Sequence, residues 1–393
     1  MVFRQDYTFW KLTRTLVLEK EYRVLQISTT SQEIWLESSE RDLPKLVRIL
    51  RYDLDWGNWM QRDMENTLQK VRSVSKQLGL KKIDVANIYV STYPPVDDYQ
   101  NRLEEPLHIK DNRTKINMKT FLLHADSAKE DSRPQLLADF SIEDFKNTPG
   151  PLIDTSGIEA LKREVLQETQ RRIKSEQRIF QYSKPFFTYF FITIQLIMYV
   201  LLELRGGSTN IDTLLAFGAK ENNLILNGEW WRFFTPIVLH IGIFHLLMNT
   251  LALYFLGSAV ERIFGRTRFL ILYIFAGFAG SLGSFIFSSS ISAGASGAIF
   301  GLFGALLFFG MSYPKLFFRT MGNNIITIII INLAFGFIVP GIDNAGHIGG
   351  LIGGFLASGI VSLPEKKLYK NSVFYFILTV LLTVSFLIIG FGI

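Results

Sequence analysis

After Pro185 the chain almost stops using acidic residues: of the 35 Asp and Glu in its 393 residues, only Glu203, Asp212, Glu221, Glu229, Glu261, Asp343 and Glu365 remain. The same half gathers apolar residues into runs of roughly 20, the length that crosses a bilayer core. These runs lie near 185–204, 238–257, 268–287, 295–311, 322–340, 345–363 and 372–392. A chain in hydrocarbon has to satisfy its own backbone hydrogen bonds, so this half is restricted to a bundle of membrane-spanning helices. The charged first half reads as a separate domain outside the bilayer.

Basic residues between the runs set an expected orientation, because Lys and Arg are retained on the cytosolic side during insertion. Arg262, Arg266 and Arg268 follow the second run, Lys315 and Arg319 the fourth, and Lys366, Lys367 and Lys370 the sixth. The stretch 287–292 carries no charge, and 340–344 carries only Asp343. The expectation is a multi-pass protein with a cytosolic amino terminus and an extracytoplasmic Ile393. The opening MVFRQDYTFWKLTRTL is too polar for a secretory signal, which keeps the first half in the cytosol on this reading. A net charge of +6 does not point to nucleic acid, since no basic cluster is interleaved with aromatics and several cations flank spans. The absence of cysteine excludes disulfides, thiolate metal sites and a thiol nucleophile.

The first half reads as mixed α and β. Helical periodicity covers 7–18 and 59–78, β-rich segments cover 22–27, 33–36 and 83–90, and the loop 91–100 contains Pro94 and Pro95. A charged helix over 158–180 leads into the first apolar run as a stalk or surface-lying connector. His108, His124 and Asp126 raise the idea of a divalent-cation site, but scattered His and Asp on such a domain are ordinarily solvated surface. No metal and no cofactor are expected.

Polar side chains inside spans usually do chemistry. Ser296 stands among Gly294, Ala295 and Gly297 in the fourth run, and His347 among Gly346, Gly349, Gly350, Gly353 and Gly354 in the sixth. Small neighbours let two helices meet backbone to backbone, which brings a hydroxyl and an imidazole within reach as nucleophile and general base. His245 and Asn249, spaced i, i+4 in the second run, share a helix face and so aim an imidazole N–H and an amide N–H at one point, with the Ser296 N–H as a third donor for an oxyanion. Phe300, one turn after Ser296, is placed to stack on the His347 ring. Given the alternating directions, these groups fall at one depth near the outer face. Asp343 precedes His347 by four residues, yet its place in the turn after Pro340 and Gly341 reads as solvated rather than as the acid of a triad. His240 reads as an interface marker. The competing readings are a catalytically inactive client-binding adaptor, which would lack the serine or histidine, and a transporter or channel, which would need polar groups through the inner half.

The pattern H-x-x-x-N, then G-x-S-G, then G-H-x-G-G resembles the rhomboid family of intramembrane serine proteases over residues 185–363. That resemblance implies a six-helix protease core with Ser296 and His347 as a catalytic dyad, His245 and Asn249 as the oxyanion pair, and Trp231 and Arg232 as the tryptophan-arginine motif of the first outer loop. Gly346 stands where the family often has alanine, and Phe300 where it often has tyrosine, so ring stacking survives and a phenolic hydroxyl does not. The implied organisation is a cytosolic α/β domain at 1–157, a connector at 158–184, the core at 185–363 and an added seventh span at 364–393. A long cytosolic domain with a seventh span is similar to a Gram-positive subgroup whose members often continue into an extracytosolic helical-repeat domain. The expected setting is the bacterial plasma membrane and the expected partners are transmembrane protein substrates and the lipid bilayer. Cytosolic regulators or clients are the further partners that the N-terminal domain suggests.

Overall fold

A computed structural model describes residues 2–30, 32–38, 40, 42–78, 82–110, 114–124, 131–143, 145, 155–366 and 369–392. Asp126, Lys367 and Ile393 lie outside the described residues. The chain divides into two compact units, Met1–Ser175 and Glu176–Ile393.

The first unit is a six-stranded mixed sheet in the order β1-β2-β3-β4-β6-β5. Its strands are β1 (Arg23–Ile27), β2 (Glu33–Glu37), β3 (Leu46–Arg51), β4 (Lys82–Ser91), β5 (Leu107–Lys110) and β6 (Lys115–His124). β3, β4 and β6 run parallel, while β1, β2 and β5 pair antiparallel at the flanks. Parallel neighbours need a crossover and cover on both faces. Helix α1 (Val2–Arg14) covers one face with Phe9 and Leu12 against Ile49, Ile88 and Phe121. Helix α2 (Gly57–Leu78), the β3-to-β4 crossover, covers the other with Met60, Met64 and Leu68 against Val85, Met118 and Leu122. Arg48, 3% exposed, is held by Glu33 at 2.6 Å and Asp63 at 2.5 Å, and Tyr89 donates to the same Asp63 carboxylate at 2.6 Å.

The sequence reading finds α1, α2, β1, β2 and β4 and misses β3, β5 and β6. Lys115 to Lys119 alternates polar and apolar residues over only five positions, and from Thr120 on the strand is covered on both faces and carries no alternation. The cation-site idea fails on register. His108 pairs with Asn117, and His124 ends β6 seven residues further on, roughly 23 Å away at the rise of a strand. Among the described residues no group of three or more His, Asp and Glu is placed to hold a metal.

The charged helix α3 (Thr155–Phe180) follows the sheet in the chain, and the second unit is a helical bundle: α4 (Phe187–Leu204), α5 (Gly242–Phe264), α6 (Arg266–Phe287), α7 (Ser296–Ser312), α8 (Gly322–Ile338), α9 (Asn344–Val361) and α10 (Tyr369–Phe391). Five have the length and hydropathy of membrane spans, and a sixth is reached by joining α8 to the short helix Pro314–Thr320, bent from it by 71°. With the α/β unit, this makes the protein a polytopic helical membrane core carrying a mixed α/β N-terminal domain. α7 is the central helix, buried along most of its length. Around it, α6, α7 and α9 meet through small residues. A Cβ on Gly280 would lie 2.9 Å from the Gly346 carbonyl, one on Gly304 would lie 2.1 Å from the Leu351 carbonyl, and one on Gly354 would lie 2.0 Å from the Gly301 carbonyl. The packing of α7 on α9 follows from their glycines. The strip on α6, Gly277, Gly280 and Gly283, is a third face that the reading of separate motifs passed over.

α5 extends seven residues beyond the expected end of the second span, which puts Glu261 and Arg262 in its last turn rather than in a loop. The charge at 261 is tolerated because it has a task. Its carboxylate, fully buried, accepts from Phe186 N (2.8 Å), Phe187 N (2.9 Å) and Thr188 N (2.9 Å), amides that the start of α4 leaves unpaired, and from the Thr188 hydroxyl Oγ1 (2.7 Å). Lys220, also fully buried, does the converse at the end of α6. Its Nζ donates to the carbonyls of Ser284 (3.1 Å), Ser288 (2.8 Å) and Ser290 (3.1 Å). Glu261→Ala orphans four donors at once and is expected to cost about 3 kcal/mol or more, at 1–3 kcal/mol for each unsatisfied buried group. Thermal unfolding in detergent measures this, with Glu261→Gln expected to lose less.

Candidate active site

The first turns of α5, α7 and α9 meet at one end of the bundle. Ser296 opens α7, and its Oγ lies 2.9 Å from His347 Nε2 in the first turn of α9. Gly350, one turn along α9, rests on the backbone of Gly297, where a Cβ would lie 2.0 Å from the Gly297 carbonyl. That approach carries the serine and histidine to hydrogen-bonding distance. Gly294 turns the chain into α7 with φ +149°, and its N–H is held by the Pro236 carbonyl at 3.0 Å.

The His347 ring is oriented by stacking. Phe300, 4% exposed, lies parallel to it with centroids 4.2 Å apart and an interplanar angle of 12°. His347 Nδ1 is buried without a hydrogen-bond partner, carboxylate or other, among the described residues. The sequence alone places Asp343 as a solvated turn residue. It is instead partly buried and caps α9, its Oδ1 accepting from Gly346 N at 2.9 Å while its carbonyl accepts from His347 N at 3.0 Å.

His245 faces Ser296 across Gly294. A Cβ on Gly294 would sit 2.7 Å from His245 Cε1, 2.9 Å from its Nε2 and 3.8 Å from Ser296 Oγ, so both the backbone angle and the ring require glycine there. Asn249 is buried but differs from the expectation. Its Nδ2 donates to the His245 carbonyl at 2.9 Å, so one of its two amide hydrogens is tied to its own helix and only the second is left for a ligand. A cavity of about 20 Å³ beside Ser296, bounded by Gly280, Ser281, Gly294 and Gly297, has room for one water.

Arg232, 5% exposed, donates to the carbonyls of Leu215 (2.9 Å) and Ala219 (2.7 Å) and pairs with Glu229 (2.6 Å), which fastens the connection between α4 and α5. Trp231 and Trp230 next to it are exposed. The largest miss is His240. Read as an interface marker, it is fully buried, its Nε2 accepts from Ala295 N at 3.4 Å, and its ring meets that of His245 edge to face at 5.3 Å. The signal available was a second histidine five residues before His245.

A profile of the rhomboid domain matches residues 227–364. The chain is 44% identical over 390 residues to rhomboid protease GluP of Bacillus subtilis (strain 168), a match covering 99% of this chain and 75% of that protein. It is 34% identical over 184 residues to putative rhomboid protease YdcA of the same organism, covering 46% of this chain and 90% of that one. It is 45% identical over 163 residues to RHOMBOID-like protein 1 of Arabidopsis thaliana, covering 40% and 42%.

Because no side chain fits between Gly350 and Gly297, Gly350→Val is expected to push α9 from α7 at a cost of about 1–3 kcal/mol, typical of overpacking. A drop in melting temperature in detergent together with lost proteolysis would agree with this. A variant as stable and active as the parent would contradict it.

Proposed function

The chain belongs to the rhomboid family, intramembrane serine endopeptidases, and from that premise we propose that Ser296 is its nucleophile and His347 its general base. The observation that carries the reading is the 2.9 Å contact between Ser296 Oγ and His347 Nε2. For Nε2 to receive the hydroxyl proton the imidazole is neutral with its own proton on Nδ1, and the Phe300 stack supplies the orientation that a carboxylate supplies in a triad. Oγ attacks the scissile carbonyl as its proton passes to Nε2. The oxyanion is met by the Ser296 N–H, the His245 imidazole and the second amide hydrogen of Asn249, at the positive end of α7. Collapse of this intermediate expels the amine, which takes the proton from His347, and leaves an acyl-enzyme that water hydrolyses. No metal or nucleotide enters these steps.

The same proposal sets the depth and side of cleavage. At 1.5 Å per residue α7 is about 25 Å long against a hydrocarbon core of about 30 Å, which favours a serine below the membrane surface. The basic loops favour an extracytoplasmic site, a cytosolic amino terminus and placement in the bacterial plasma membrane. A substrate helix has to unwind there, since a helical amide is shielded by its own hydrogen bonds, so substrates should carry small or helix-weakening residues at that level. The division into a cytosolic domain at 1–157, a connector at 158–184, a core at 185–363 and a seventh span at 364–393 belongs to this reading, with the first domain recruiting clients or regulators.

The test is cleavage of a transmembrane substrate by purified protein. Ser296→Ala and His347→Ala are each expected to lower kcat by about 10⁴-fold or more while the protein stays folded, the scale on which members of a nucleophile–base unit act; equal cleavage by parent and variants would overturn the assignment. Removing residues 1–170 should change which clients are cut and spare a minimal substrate, and unchanged client choice would reject the recruitment role.

A further inference from the structure

The backbone that presents Ser296 is held from one side by a short stretch of the chain just before α5. Gly294 N donates to the Pro236 carbonyl at 3.0 Å, and the next amide, Ala295 N, donates to His240 Nε2 at 3.4 Å. Between them these bonds fix two successive peptide units immediately before the serine. His240 also touches the other side of the site, with its ring edge to face on His245 at 5.3 Å, and His245 in turn packs on Gly294. One fully buried imidazole therefore contacts both the turn that aims the serine and the ring that faces it.

The bond to Ala295 has chemical content. An imidazole nitrogen accepts only when it carries no proton, so the contact specifies the neutral tautomer with hydrogen on Nδ1. It also sorts the donors at the start of α7. The N–H groups of Ser296, Gly297 and Ala298 have no carbonyl four residues back within the helix, and the Ala295 N–H just before them would join this open set. His240 takes the Ala295 N–H out of it and leaves the Ser296 N–H free to face a developing oxyanion.

We infer that His240 is a positioning residue for proteolysis, holding the Ala295 peptide through Nε2 so that Ser296 Oγ points to His347 and the Ser296 N–H points to the substrate carbonyl. The inference rests on the dyad reading above. It makes no claim that His240 touches substrate. Because a displacement of about 1 Å in a reacting group costs on the order of a hundredfold in rate, the effect belongs in kcat rather than in KM.

Two substitutions separate the acceptor from the ring. His240→Phe keeps an aromatic against His245 and cannot accept a hydrogen bond. His240→Gln gives up the ring and places a carbonyl oxygen near the position of Nε2. The expected result with a transmembrane substrate in detergent is a kcat about a hundredfold lower for His240→Phe with KM nearly unchanged, and a kcat for His240→Gln well above that of His240→Phe. Packing alone would reverse that order, so a phenylalanine variant as active as the parent, or more active than the glutamine variant, overturns the inference. If His240→Phe folds poorly, the labelling rate of Ser296 by a fluorophosphonate, taken per folded molecule for His240→Gln and His240→Ala, decides instead: equal rates overturn it and faster labelling of the glutamine variant supports it. Ser296→Ala in the same assay keeps the two claims apart. Cleavage that survives Ser296→Ala removes the dyad reading, whereas its loss alongside a fully active His240→Phe removes only the role given to His240.

Discussion

Everything at the Ser296 end of the bundle depends on how closely α6, α7 and α9 approach. Lipid tails are as apolar as leucine, so helices in a bilayer gain little by hiding apolar side chains from them and associate through packing and hydrogen bonds. Glycines at 280, 297, 301, 304, 350 and 354 remove the side chains that would otherwise hold these three helices at the usual 8–10 Å between axes. Each backbone then rests on the next, and a serine and a histidine 51 positions apart are brought to 2.9 Å by rigid elements rather than by loops. That placement suits catalysis, where geometry has to be held to fractions of an ångström.

A second constraint is the placement of charge. Glu261, Lys220 and Arg232 are all buried in or beside the membrane half, and none is left without partners. Each answers backbone groups that a helix end or a turn leaves open: Glu261 the amides starting α4, Lys220 the carbonyls ending α6, Arg232 the carbonyls of Leu215 and Ala219. Charges used this way tie connections down as well. Lys220 also exchanges both backbone hydrogen bonds with Ser292, two residues before the turn at Gly294, so the loop between α4 and α5 braces the approach to the serine.

The membrane half was legible because its constraints are local in sequence. Runs of twenty apolar residues, glycines at helical spacing and polar residues within a span each carry their own meaning, and they located Ser296, His347, His245 and the Phe300 stack. What escaped was set by partners distant along the chain. Glu261 read as part of the loop after the second run until α4 supplied its four donors. Asn249 looked free to face a substrate, yet the carbonyl four residues earlier takes one of its hydrogens. His240 looked like an interface residue because nothing near it in sequence reveals that Ala295 comes to meet it. In the α/β unit the missed strands are β3, between two others in the sheet, the short edge strand β5 and β6, whose residues from Thr120 on are buried on both faces and leave no alternation to read.

The cap on α4 bears on the order in which the protein is made. Its amides at Phe186, Phe187 and Thr188 precede their acceptor, Glu261, by more than seventy residues. During synthesis the first span therefore enters the bilayer with its leading donors unanswered, relying on water at the lipid headgroups until the second span arrives. A nascent chain stopped between residues 205 and 260 would hold that helix only loosely, and completion of α5 is the moment at which the bundle acquires a fixed foundation.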